Sequence, residues 1–249
     1  MKKFVISIDE SGVRLNNFFN INFLKKSEFL QVGIVGKNLS ALDYYNFGVK
    51  KSFPPLSPAE LGCTLSHIKA LEIFLNSEEK YALVLEDDVI FRSKVDFSDS
   101  NFDSLGRNFI FLLGGVDLKL CKNLKGKSID FGDLNVLKVD YGSRRNLYYT
   151  MGYVLDKESA KYIIKYHLDF CKKADDWAGF YEFSKETNFY ISNFLIHPDI
   201  DEINTSNSSI SSERYPHFYY IKKAFYLFCR ILNRRISYCI RYLLGSKFK

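Results

Sequence analysis

Tyr81-Ala82-Leu83-Val84-Leu85 is an unbroken apolar run, and Glu86-Asp87-Asp88 follows it with no spacer. A strand with one wet face alternates apolar and polar residues. A run without alternation must be covered on both faces, which predicts an α/β domain with a mainly parallel central sheet. In open α/β sheets ligands bind beyond the carboxyl ends of strands, so the three acids stand where a site is expected. Adjacent carboxylates repel and raise each other's pKa. A hard divalent cation, Mg²⁺ or Mn²⁺, relieves that repulsion by taking carboxylate oxygens. Strand alternation sends Glu86 and Asp88 to one side and Asp87 to the other. Two acids can therefore share a metal, which would seat a diphosphate and stabilise a leaving nucleoside diphosphate.

The neighbouring segments read as layers around that strand. Phe4–Ile8 is expected as a first strand and Ile34-Val35 as a short one. Ser57-Pro58-Ala59-Glu60 is a capping box with Pro at the first helical position, so a helix runs from there toward Asn76. Phe109–Leu113, Leu134–Val139, Leu147–Leu155 and Phe189–Ile196 read as further strands. Asp156 caps a helix to about Leu168, with Ala160, Ile163 and Ile164 inward. Strands alternating with helices support the α/β reading. There is no P-loop and no Gly-x-Gly-x-x-Gly, which argues against a P-loop ATPase or a dinucleotide oxidoreductase.

At 249 residues the chain has room for one large domain and an appendage. The longest stretch without Lys, Arg, Asp or Glu is 12 residues, 187–198, against the roughly 20 a membrane-spanning helix needs. The apolar start, Phe4-Val5-Ile6-Ser7-Ile8, is too short for a secretory signal. Five widely spaced cysteines with no Cys-x-x-Cys pair predict reduced thiols in a cytoplasmic protein.

Charge divides the chain. Residues 213–249 carry nine Lys/Arg and one acid, Glu213, a net of +8; residues 1–212 carry 26 basic and 28 acidic residues, a net of −2. Residues 206–212 form a Ser-rich linker between them. In the tail Phe218, Ile221, Phe225, Phe228, Leu232, Ile236, Cys239 and Leu243 recur at helical spacing, opposite Lys223, Arg230, Arg234 and Arg241. That is a basic amphipathic helix suited to an anionic membrane surface. Nucleic acid is disfavoured as a partner, because the body offers no basic stripe.

Gly62-Cys63-Thr64-Leu65-Ser66-His67 lies on the capped helix. Gly62 near its start implies a close approach of backbone or ligand. Ser66 and His67 point about 100° apart, which excludes a Ser–His nucleophile pair. Leu61-Gly62-Cys63-Thr64-Leu65-Ser66-His67 together with Tyr81–Val89 resembles glycosyltransferase family 25, the lipopolysaccharide or lipooligosaccharide β-galactosyltransferases and their relatives. Phe4–Ile8 with Arg14, Thr150–Leu155 with Ala160, and Ala174-Asp175-Asp176-Trp177 are similar to further family elements. The likeness spans about residues 1–212.

The resemblance implies a GT-A-like catalytic domain over residues 1–205 and inverting, metal-dependent transfer from a UDP-sugar. By position it implies metal ligation by Glu86 and Asp88, with His197 as a third ligand. It implies nucleotide-sugar contacts from Ser7, Arg14, Ser66, His67, Asp87 and Thr150, and Asp176 of the Asp175-Asp176 pair as general base. Trp177 could stack on a sugar, and Arg144 and Arg145 could hold the diphosphate. The expected protein is a cytoplasmic enzyme, peripheral on the inner face of the membrane. It moves galactose from UDP-galactose to a lipid-linked oligosaccharide acceptor. UDP-glucose or UDP-N-acetylglucosamine as donor, and a metal-dependent phosphoesterase, are the alternatives.

Overall fold

A computed structural model of the chain describes residues 1–197 apart from 94–96, 119–120, 122 and 132–133. The linker and the basic tail lie outside the described residues. Among the described residues nine strands form one sheet: β1 (Lys2–Ile6), β2 (Leu30–Val32), β3 (Tyr81–Glu86), β4 (Ile90–Phe91), β5 (Phe109–Gly114), β6 (Gly126–Phe131), β7 (Leu134–Val139), β8 (Gly152–Asp156) and β9 (Asn188–Ile196). Their order is β2-β1-β3-β8-β5-β9-β7-β6, with β4 paired to β9. The helices are α1 (Val13–Ile21), α2 (Ala41–Asp43), α3 (Pro58–Leu75), α4 (Asp99–Asp103), α5 (Lys157–Asp169) and α6 (Trp177–Phe183).

The apolar runs are buried as expected, and for a visible reason. Phe4, Ile6, Ala82, Val84, Ile110 and Leu112 enter one core with Ala70, Leu71 and Phe74 of α3 and Ala160 and Ile163 of α5. Val5, Leu83, Leu85, Phe109, Phe111 and Leu113 enter a second core with Leu15, Phe18 and Phe19 of α1 and Phe102 of α4. Both faces of the central strands are therefore dry.

The sheet is mixed rather than mainly parallel. β1 pairs parallel with β2 and β3, and β5 with β9, but β8 runs antiparallel between β3 and β5. β7 also runs antiparallel to β9. All five residues of β8 are buried. Burial on both faces depends on what covers the sheet, and strand direction leaves no mark on it.

Three local expectations also change. β1 ends at Ile6, so Ser7 and Ile8 lie in the following turn. The short second strand is Leu30–Val32; Ile34 and Val35 form a loop against α3. Residues 147–151 precede β8 rather than joining it. The helix signals hold. Ser57 Oγ accepts from Glu60 N–H at 3.2 Å, and Ser57 N–H donates to Glu60 Oε2 at 3.0 Å. Asp156 accepts from Ser159 N–H at 2.9 Å at the start of α5. Cys63, Cys121 and Cys171 are free thiols. Among the described residues no helix is long and apolar enough to cross a membrane.

Gly62 lets α3 touch that loop. A Cβ on it would lie 2.6 Å from the Ile34 carbonyl oxygen and 2.7 Å from Gly36 N. Both are backbone atoms that cannot rotate away, so Gly62→Ala should cost about 1–3 kcal/mol through overpacking. A lowered urea midpoint with an unchanged slope would check it.

Burial also sets an acid limit. His167 on α5 is buried, and its pKa falls to about 3, first through burial and then through the nearby His67. The unfolded chain accepts that proton near 6.5. Between those values the unfolded state binds more protons, so stability drops as pH falls from about 6.5. His167→Gln should flatten the dependence of melting temperature on pH between roughly 6.5 and 4.

Candidate active site

Strand directions gather the functional ends at one edge of the sheet. β1 and β3 are parallel with Ile6 opposite Glu86, which sets Ser7 beside Asp87. Antiparallel β8 begins at the same edge, where Glu86 N–H donates to the Met151 carbonyl at 3.0 Å. β4 turns back onto β9 with Ile90 opposite Ile196. That pairing delivers His197, 109 residues from Asp88 in sequence, to 3.4 Å from Asp88 Oδ1.

Glu86, Asp88 and His197 each offer a ligand atom, all within 4.8 Å of one another. Burial, then Asp88, pushes the Glu86 carboxyl well above its ordinary value. Asp88 Oδ1 is shielded from solvent and has no hydrogen-bond partner among the described residues. An orphaned carboxylate oxygen beside a second acid and an imidazole fits a divalent cation.

Strand alternation stops at Glu86, where β3 ends, so it does not separate Asp87 from Asp88; both lie in the following turn and both reach Arg14. Asp87 is buried and ion-paired with Arg14, whose Nη2 is also 3.1 Å from Asp88 Oδ2. Its pKa is raised by burial, against the hydrogen bond from Ser7 and the charge of Arg14. Arg14, in the first turn of α1, thus clamps the acidic segment from outside. It also lines a shallow cleft of about 760 Å³ with Asp9, Ser11, Val13, Asn16, Asn17 and Asn20.

Two motif residues turn inward. Ser66 Oγ accepts from Ile34 N–H at 2.8 Å and donates to the Gly62 carbonyl at 2.7 Å, so it fastens the loop to α3. His67 is buried with Nδ1 3.0 Å from Tyr153 Oη and Nε2 3.5 Å from Glu86 Oε1. Burial lowers its pKa to about 4. Ser66 and His67 diverge as the helix geometry predicts. Thr150 is buried just before β8, and its hydroxyl has no hydrogen-bond partner among the described residues.

Asp175 and Asp176 do different things. Asp176 caps α6, accepting from Gly179 N–H at 3.3 Å and from Tyr166 Oη at 2.7 Å. Asp175 bears electrostatically on His67, Glu86 and Cys63, and burial raises its own pKa. The acid that senses the cluster is Asp175, while Asp176 is occupied locally.

Two further expectations are corrected. Trp177 is 3% exposed and donates to the Tyr149 carbonyl at 3.0 Å, so its ring is core and offers no face to a sugar. Arg144 is buried among Tyr141, Tyr181 and Phe189, and donates to the Lys185 and Thr187 carbonyls at 3.3 and 2.7 Å. It ties the Tyr141–Asn146 turn to the loop that precedes β9. Cys63 was not foreseen at the site, although its spacing of four from His67 places both on one face of α3.

Fold and site together define an α/β protein with an acidic, cation-competent edge at its strand ends. Residues 1–178 match the model of glycosyltransferase family 25 (LPS biosynthesis protein), and the chain belongs to that family. Family membership supports glycosyltransferase activity, with a sugar donor and an oligosaccharide acceptor. No curated protein matches the chain. Among solved structures it is similar to A197 from STIV, at 14% identity over 78% of this chain and 83% of that one, with a TM-score of 0.40. It is also similar to a glycosyltransferase involved in glycosylation of the major capsid of PBCV-1, at 11% identity over 67% and 64% of the two chains, with a TM-score of 0.27.

The paired aspartates separate by stability. Asp176→Ala should cost about 1 kcal/mol through loss of the cap. Asp175→Asn should keep or raise the melting temperature at pH 7, because burial disfavours its ionised carboxylate in the folded state. Thermal melts of the two variants check both.

Proposed function

We propose that the protein is a GT-A-like, inverting glycosyltransferase using a UDP-sugar, with UDP-galactose as first choice. The acceptor is the saccharide of a lipid-linked lipooligosaccharide or lipopolysaccharide precursor. The observation carrying this reading is the convergence of Glu86, Asp88 and His197 at the sheet edge, in a chain of glycosyltransferase family 25.

Glu86, Asp88 and His197 would hold Mn²⁺, or Mg²⁺; the imidazole in the donor set favours Mn²⁺. When bound, the cation supplies charge neutralisation for a departing diphosphate. Arg14 holds Asp87 and Asp88 in place and adds positive charge at the rim where phosphates would approach. The cleft beside Arg14 is room for part of the donor. Ser7 fixes Asp87, and Ser66 acts by holding the loop against α3. Inversion requires a base on the acceptor hydroxyl, opposite the leaving group. Asp175 suits that task better than Asp176: burial shifts its pKa toward neutrality, where a general base works best, and its carboxylate is not spent on a helix cap.

Residues 213–249, by their sequence pattern, would bind the anionic inner leaflet, where a lipid-linked acceptor is presented. Their deletion should move the protein to the soluble fraction in a membrane flotation assay. Transfer to a soluble acceptor should survive.

The donor test is a panel of UDP-galactose, UDP-glucose and UDP-N-acetylglucosamine with and without Mn²⁺. We expect metal-dependent release of UDP with one sugar, and a product of inverted anomeric configuration by NMR. Asp88→Asn and Asp175→Asn should each lower kcat by roughly 10²–10³, the scale of losing one electrostatic or proton-transfer contact. Metal-independent turnover, or a retained anomeric configuration, would contradict the mechanism.

A further inference from the structure

A second group of ligand atoms lies behind the acidic edge. Cys63 Sγ, a ring nitrogen of His67 and a carboxylate oxygen of Glu86 all fall within 4.8 Å of one another. Cys63 and His67 are one helical turn apart on α3, and Glu86 ends β3 directly opposite. The geometry points to an adjoining site for a thiophilic divalent cation such as Zn²⁺, built from Cys63, His67 and the shared Glu86.

The His67 ring is the second observation that points to a ligand. Its side chain is 6% exposed, yet Nε2 makes no hydrogen bond among the described residues. Buried imidazole nitrogens are ordinarily satisfied. The tautomer with its proton on Nδ1 donates to Tyr153 Oη at 3.0 Å, leaving an Nε2 lone pair aimed at Glu86. A hydrogen bond on the far nitrogen is the usual way a metal-binding histidine is oriented, and stacking on Tyr153 keeps the ring in place.

The separations suit a small ion. Tetrahedral zinc with bonds of about 2.0–2.3 Å sets its ligand atoms roughly 3.3–3.8 Å apart. His67 Nε2 and Glu86 Oε1 already stand at 3.5 Å. Small side-chain rotations bring in the thiol, which is half-buried. The donor set differs from that of Glu86, Asp88 and His197: a thiolate selects zinc-like ions, whereas carboxylate-rich sites suit Mn²⁺ or Mg²⁺. Three protein ligands leave one position open. Glu86 belongs to both groups, so an ion here draws on a carboxylate that the acidic edge also uses. The site stands on these residues alone and does not depend on the glycosyltransferase reading.

Titration of metal-free, full-length protein with Co²⁺ tests it. A near-ultraviolet sulfur-to-cobalt charge-transfer band should grow to one equivalent, vanish on adding Zn²⁺, and be absent in Cys63→Ser. His67→Gln should weaken Co²⁺ binding about 10-fold or more. In the wild type, alkylation of Cys63 followed by peptide mapping should slow at least 10-fold with one equivalent of Zn²⁺ and stay unchanged with Mg²⁺, which needs no variant to fold. No charge-transfer band in the wild type, a band that persists in Cys63→Ser, or equal alkylation with and without Zn²⁺ would overturn the proposal.

Discussion

Negative charge held at the end of dry strands is the constraint on which the site depends. Glu86, Asp87 and Asp88 repel one another, and burial makes that repulsion costly. They stay together because β3 is locked between β1 and β8 by backbone hydrogen bonds and by apolar packing on both faces. The sheet supplies the confinement, and the charge that accumulates there is then available for a cation, for Arg14 and for phosphates.

The same constraint explains how the neighbours are arranged. Arg14 sits on the outer side, where Asp87 and Asp88 can both reach it. The imidazoles sit on two other sides, His197 against Asp88 and His67 against Glu86. Each arrives by a different element: the first turn of α1, the end of β9 and the middle of α3. Rigid elements hold these groups where loops alone would let them drift. The antiparallel insertion of β8 adds Thr150 and Met151 at the same edge, since a strand entering from that side begins where its neighbours end.

Local chemistry carried much of the architecture. The capping box at Ser57 and Glu60, the cap at Asp156 and the apolar runs of β3 and β5 act through neighbours a few residues away, and each is found where its pattern places it. Alternation could not sort the three acids, because β3 ends at Glu86 and the turn brings Asp87 and Asp88 to the same arginine. Other readings failed where a residue's partner is distant. Arg144 reads from sequence as a diphosphate contact, but its carbonyl partners lie 41 and 43 residues away. Trp177 looked like a sugar platform, but Tyr149 and the core claim it. Asp175 and Asp176 are adjacent and alike in sequence; only the start of α6 and the Tyr166 hydroxyl distinguish them.

By itself the sequence determined the layered α/β class, the principal helix and strand positions, and the acid cluster at a strand end. These depend on periodicity, capping and burial, all of which act over short spans of chain. Tertiary structure alone decided the direction of β8, the meeting of His197 with Asp88, and the approach of Cys63 and His67 to Glu86. Strand direction leaves burial unchanged, and contacts between residues dozens of positions apart depend on how the elements pack, so neither is written in any local pattern.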